Sequence, residues 1–179
     1  EVPEKQSVNI RNRSYSLGAL VDIPARGAEG VLFAHGARFG GHALYVKDDR
    51  LHYVNSFVGL MEQKIDATED VPTGENVILA ATFEKDGEDA PGVATGILSL
   101  FYGDKKVGEG RIKTQPGEFA IAGEGLCVGR DGGAPVTDDY PGESPYRFTG
   151  GVIKQVRVNV SGAPYLDLER EAMAMLMRE

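Results

Sequence analysis

One cysteine, no tryptophan and no long apolar run are the first things this 179-residue sequence says about itself. With Cys127 alone, no internal disulfide can form, so a small scaffold stapled by disulfides is excluded. No stretch approaches the roughly 18 apolar residues of a membrane-spanning helix. Basic clusters are also missing. Lys105-Lys106 is the longest basic stretch, and the formal net charge is −8. Phosphate contacts need clustered Lys and Arg, so the composition argues against nucleic acid and against an anionic membrane surface. No secretory leader is visible. The chain starts Glu1-Val2-Pro3 rather than with Met, and the expectation is that its natural start lies upstream.

What is present is glycine, 24 of them, and period-two alternation. The length suits one domain able to bury roughly 70% of the surface its unfolded chain would expose. In "SYSLGALVDI" (14–23), Tyr15, Leu17, Ala19 and Val21 share a face. "HALYVKDDRLHYVNSF" (42–57) reads as a hairpin turning at Asp48-Asp49, since Asp tolerates the left-handed conformations of tight turns. "HGARFGGH" reads as another turn, between "VLFA" and "ALYV". "ENVILAATFEK" (75–85) is a strand, and "DGEDAPGVA" (86–94) is expected to be a loop. "GILSLFYGDKKVGEGRI" (96–112) is a hairpin with its turn at Gly103-Asp104-Lys105, and "FAIAGEGLCVGRD" (119–131) holds two short strands. In "GGVIKQVRVNV" (150–160), Val152, Val156, Val158 and Val160 face one way and Gln155, Arg157 and Asn159 the other. Short strands separated by frequent turn signals are the sequence form of an all-β antiparallel sandwich or jelly roll.

The C-terminus breaks this pattern. "LDLEREAMAMLMRE" (166–179) carries Leu168, Ala172, Met175 and Leu176 at helical spacing. The expectation is one C-terminal helix over about 166–178, closing a single domain of residues 1–179. Acidic residues occupy its first turns, as the helix dipole favours. Its Met-rich stripe suits packing on the sandwich or docking on a partner.

Candidate chemistry is sparse. A nucleophilic cysteine needs a base or cation to hold its thiolate, but Cys127 alternates on a short strand between Leu126 and Val128, far in sequence from His35, His42 and His52. His35 and His42 bracket a turn without a third ligand at metal-site spacing. The loop "RDGGAPVTDDYPGE" gathers Asp131, Asp138, Asp139 and Glu143. Asp131, Asp138 and Asp139 are calcium candidates by their oxygens, against the plainer reading of Asx turns and solvation. The same loop offers a contact surface of Arg130, Asp131, Asp138, Asp139 and Tyr140. Phosphate-binding, nucleophile-elbow and zinc motifs are all missing. No paired carboxylates appear in the E-x-D-x-x-E form, which leaves a jelly-roll glycosidase without its acid and base.

"GAEGVLFAHGARFGGHALYVKDDRLHYVNSFVG", "DKKVGEGRI", "VGRDGGAPVTDDY" and "FTGGVIKQVRVNVSG" together resemble the C-terminal region of large bacterial arylsulfatases, over roughly residues 7 to 162. The resemblance implies a concanavalin A-like or laminin G-like jelly roll. It implies a non-catalytic accessory domain of a sulfate-ester hydrolase. The sequence does not fix the compartment, and the expectation is the bacterial cytoplasm. The domain's partner would be an upstream catalytic domain of the same chain, where calcium and a formylglycine would work. Such a module shapes the substrate entrance, docks domains or holds subunits together as a homo-oligomer. The family's formylglycine arises from C-x-P-x-R or its serine form. Cys127 is followed by Val128, Gly129 and Arg130, so it lacks that motif, and no catalytic, cofactor or metal residue carries over. The alternative is a freestanding carbohydrate-binding module, with Tyr45, Tyr53, Phe57, Tyr140 and Tyr146 as stacking candidates unless they pack internally.

Overall fold

In a computed structural model, which describes residues 1–117, 119 and 125–162, ten strands form two five-stranded antiparallel sheets. The strands are β1 (Tyr15–Ile23), β2 (Gly30–Ala37), β3 (Gly40–Lys47), β4 (Arg50–Phe57), β5 (Met61–Asp66), β6 (Gly74–Ala90), β7 (Val93–Tyr102), β8 (Lys105–Thr114), β9 (Leu126–Val128) and β10 (Val152–Val160). The first sheet runs β10-β1-β6-β7-β8 and the second β5-β4-β3-β2-β9. Among the described residues no helix is long and apolar enough to cross a membrane. The expected helix over 166–178, with Leu168, Ala172, Met175 and Leu176, lies outside the described residues.

The core is built by alternation. Leu17, Ala19 and Val21 of β1 and Leu79, Ala81 and Phe83 of β6 face inward, with Leu98 and Leu100 of β7 beside them. They meet Phe33, Leu44, Val46, Leu51 and Tyr53 of the second sheet. Two turns follow from their residues. Asp48 and Asp49 both take positive φ, 50° and 59°, the paired left-handed geometry that closes a two-residue hairpin along the strands' own twist. Gly103 at φ 58° opens the β7–β8 turn.

The structure corrects two readings. Residues 86–90 are strand, because β6 continues to Ala90 and turns only at Pro91-Gly92. Its bulges after Lys85 and Glu88 break the alternation that would have marked it. Val152 does not share a face with Val156 and Val158. A bulge near Leu20 and Val21 pairs Val21 with Ile153, which turns Ile153 toward the core and leaves Val152 61% exposed.

The two sheets differ in what covers them. Strands β2, β3 and β4 are buried along nearly their whole lengths, on both faces. The chain between β9 and β10 acts as a strap across the outer face of the second sheet. Val136 and Tyr140 pack there on Val31, Ala34, Ala43, Tyr45 and Val54. The strap is fastened to the β2 edge by Gly129 N–H to the Leu32 carbonyl (3.0 Å) and Val31 N–H to the Tyr146 carbonyl (3.1 Å). The outer face of the first sheet has no such cover among the described residues.

Candidate functional site

The acidic loop belongs to the strap, and its carboxylates are already engaged. Asp131 is buried, accepting from the Val136 N–H at 2.9 Å and the Tyr140 hydroxyl at 2.8 Å. Asp139 receives Lys47 Nζ at 2.7 Å, Lys64 Nζ at 2.5 Å and the Tyr45 hydroxyl at 2.6 Å. Burial alone would raise the Asp139 carboxyl, but these hydrogen bonds outweigh it and hold the group well below the usual carboxylate range. Asp138 is exposed and pairs with Arg38 from the β2–β3 turn. Arg130 is half-buried. Asp131, Asp138 and Asp139 thus spend their oxygens on separate protein donors. Among the described residues no group of three His, Cys, Asp or Glu converges as a metal site.

The aromatic candidates are packed rather than presented. Tyr45, Tyr53 and Tyr140 are buried. Tyr45 and Tyr140 meet edge to face with ring centroids 5.0 Å apart, and Tyr140 leans on Tyr146. Phe57 lies under the Lys113 ammonium. Tyr45, Tyr53 and Tyr140 therefore present no ring to solvent, while Phe57 and Tyr146 are half-buried.

Cys127 and the histidines are also interior groups. Cys127 sits on β9 opposite Ala34, buried, and burial pushes its thiol up. The negative charges of Glu1 and Asp131 add to that shift, while the N-terminal amine and Arg130 oppose it. His35 and His42 face each other across β2 and β3. His35 meets Glu4 and, at 3.2 Å, the Ser7 hydroxyl. His42 Nδ1 lies 3.3 Å from the Tyr53 hydroxyl, which in turn is 2.5 Å from that of Tyr15. The Tyr15–Tyr53 contact joins the two sheets, while Glu4 and Ser7 tie the N-terminal segment to His35.

Among the described residues, a groove of about 260 Å³ opens on the outer face of the first sheet. Its floor is set by register. Gly18 of β1 lies opposite Ala80 of β6, so two small residues meet where larger ones would fill the space. A Cβ built on Gly18 would approach the Ala80 Cβ at 3.9 Å, an ordinary contact, so the floor is wide. One apolar wall comes from Leu20 and Ile78, paired across the same two strands. Ile78 is 48% exposed. The other wall is polar: Gln155 stands opposite Leu20, Arg157 opposite Gly18 and Asn159 opposite Ser16. Asn159 reaches the Ser16 hydroxyl at 3.4 Å. Beyond Ala80 the half-buried Phe101 of β7 continues the row.

This arrangement places amide, guanidinium and hydroxyl groups along one side of a shallow trough and aliphatic surface along the other. Such a trough suits a ligand that is polar at its edges and apolar on its faces. The outward set of Gln155, Arg157 and Asn159 is legible in the alternation of "QVRVN". The small floor is not, because it exists only through the pairing of β1 with β6.

No family model matches the chain, and no curated protein matches it. Solved structures do. The mouse laminin alpha1 chain, domains LG4-5, superposes with a TM-score of 0.54 at 12% identity, over 87% of this chain and 38% of that one. A heptameric SAP-like pentraxin from Limulus polyphemus matches at TM-score 0.43 and 15% identity, over 82% of this chain and 63% of that one. The binding domain of Botulinum Neurotoxin DC, in complex with SialylT, matches at TM-score 0.42 and 10% identity, over 94% of this chain and 36% of that one. This chain therefore spans less than two thirds of each of those chains. The likeness to laminin is one of fold: the chain is a laminin G-like jelly roll. The arylsulfatase resemblance is carried by the sequence blocks alone.

Proposed function

We propose that this chain is a non-catalytic binding module that holds a saccharide along the outer face of its first sheet. The observation that carries the reading is the groove itself. Gly18 and Ala80 let a ring approach the sheet, Leu20 and Ile78 offer aliphatic contact, and Gln155, Arg157, Asn159 and Ser16 supply hydrogen-bonding groups in a row. A pyranose ring has apolar C–H faces and hydroxyl edges, so it needs both kinds of wall. The burial of Tyr45, Tyr53 and Tyr140 speaks against sugar stacking on them and favours the outer face of the first sheet.

The test is a glycan array probed with the intact chain and with Gly18→Leu. Gly18 has room for a side chain above Ala80, so the variant should fold and fill the groove. Binding by the parent chain and its loss in the variant support the reading. Binding that Gly18→Leu leaves intact places the ligand elsewhere.

A second reading keeps the same module but attaches it to a sulfate-ester hydrolase. It is favoured by the arylsulfatase-like blocks, the longest of which, residues 27–59, contains β2, β3 and β4 whole. On this reading the catalytic domain, with its calcium and formylglycine, lies upstream in the same protein. This chain then serves in docking, substrate-entrance shaping or homo-oligomer contacts, through the strap residues Arg130 and Asp138 and the stripe Leu168, Ala172, Met175 and Leu176. The coding sequence upstream of Glu1 decides it. C-x-P-x-R or S-x-P-x-R in frame supports the attachment, and a frame without either motif removes it.

A further inference from the structure

The groove holds one charge. Arg157 is the only ionisable side chain lining it, and it forms no ion pair among the described residues. Nearby acids are turned to other work or stand off. At one end Asp22 is paired with Lys154 at 2.7 Å and accepts the Asn76 N–H. Toward the other end, Glu84 lies two residues past Thr82, the partner of Ser16, and outside the lining. Elsewhere on this sheet an arginine does have its carboxylate. Arg111 of β8 holds Asp86 of β6 with two bonds of 2.8 Å. Arg157 is the same chemical fork without its acid, placed over the smallest part of the floor opposite Gly18.

A neutral ligand laid across this point displaces water from the guanidinium without replacing its charge partner. A ligand bearing an oxyanion replaces it, with the two parallel N–H groups that planar or tetrahedral oxyanions accept. Resting on the saccharide reading, we infer that the groove selects an acidic saccharide, one that sets a carboxylate or sulfate group on Arg157. Gln155 and Asn159, two residues to either side on β10, then bind the flanking hydroxyls. The chain's net charge of −8 repels anions at long range, so a preference for them requires a local cation.

The experiment titrates the intact chain with three oligosaccharides of equal length, one neutral, one containing uronate and one sulfated. Parent, Arg157→Gln, Arg157→Lys, Arg111→Gln and Gly18→Leu chains are compared. Charge-assisted hydrogen bonds are roughly twice as strong as neutral ones, so the acidic ligands should bind about tenfold tighter or more. Arg157→Gln should remove that preference, Arg157→Lys should keep only part of it, and Arg111→Gln should leave it unchanged. Whether the uronate or the sulfated arm shows the preference identifies the group recognised. Equal binding of the neutral ligand, or an equal loss in Arg111→Gln, overturns the inference. If that equal binding still disappears in Gly18→Leu, the saccharide reading stands without it. If none of the three binds the parent chain, both fall.

Discussion

The hydroxyl of Tyr140 donates to the carboxylate of Asp131 at 2.8 Å inside the strap, and both residues are buried. The strap is therefore fastened by its own residues before it touches the sheet. Val136 and Tyr140 then supply the apolar contact with Tyr45 and Val54. Tyr140→Phe keeps the ring and removes the donor. It should lower stability by about 1–3 kcal/mol, the cost of stripping a buried charged acceptor of a partner. Urea unfolding of parent and variant measures this, and an unchanged midpoint would show that Asp131 is satisfied without the hydroxyl.

Asp139 should make the fold acid-sensitive. Its carboxyl is held well below the range of an unfolded Asp by Lys47, Lys64 and Tyr45, against the opposing pull of burial. A carboxyl with a depressed folded value contributes stability above its unfolded value, about 3.9, and loses it as pH falls toward the folded one. Asp139→Asn should cost about 1–3 kcal/mol at pH 7 and flatten the decline below pH 4. Unfolding free energies at pH 7, 4 and 3 check both parts. A variant with the parent's acid slope would assign that slope to other groups.

His42 acts in a higher window. Burial pushes its imidazole well below the ordinary range, and the neighbouring His35 adds to the shift, so it stays neutral in the fold. The unfolded imidazole takes up a proton near pH 6.5. Stability is therefore full above that value and falls below it, by up to about 1.4 kcal/mol per pH unit. The His42 ring signals in NMR spectra should show no protonation down to pH 5, and His42→Gln should lose this part of the slope. Titration of the folded ring near 6.5 would contradict the assignment.

Cys127 should behave as a packed methylene with sulfur. Its thiol is buried and pushed up, so an aromatic disulfide reagent at pH 8 should leave the native chain unmodified and consume one equivalent in denaturant. Cys127→Ala should cost about 1 kcal/mol, the scale of one lost buried group. Rapid labelling of the native chain would mean that β9 opens readily.

Much of this fold could be read from side-chain alternation, because β1 and the middle of β6 bury one face each in a period of two, while β3 and β4 are buried on both faces and are marked by the Asp48-Asp49 turn between them. Asp48-Asp49 was readable because its residue type dictates its geometry. The tail of β6 was not, since its bulges put charged residues in consecutive solvent positions and imitate a loop. Ile153 and Val152 exchanged faces for the same reason: a bulge is a property of a pair of strands, and a single strand's letters do not record it. The acidic loop drew attention by composition, yet its carboxylates are fasteners. The groove drew none, because a glycine and an alanine become a floor only when two strands distant in sequence are laid side by side.

The unequal covering of the two sheets also sets where the molecule yields. Amide protons of β2, β3 and β4 lie beneath strap and core alike, so they should exchange with solvent only when the whole domain opens. Those of β10, an edge strand with mostly exposed side chains, should exchange through local fraying at far lower cost. The polar wall of the groove is thus mounted on an edge strand rather than in the covered centre of a sheet. A ligand bridging β10 to β1 and β6 would slow that exchange, so the protection of a few β10 amides is itself a report of occupancy.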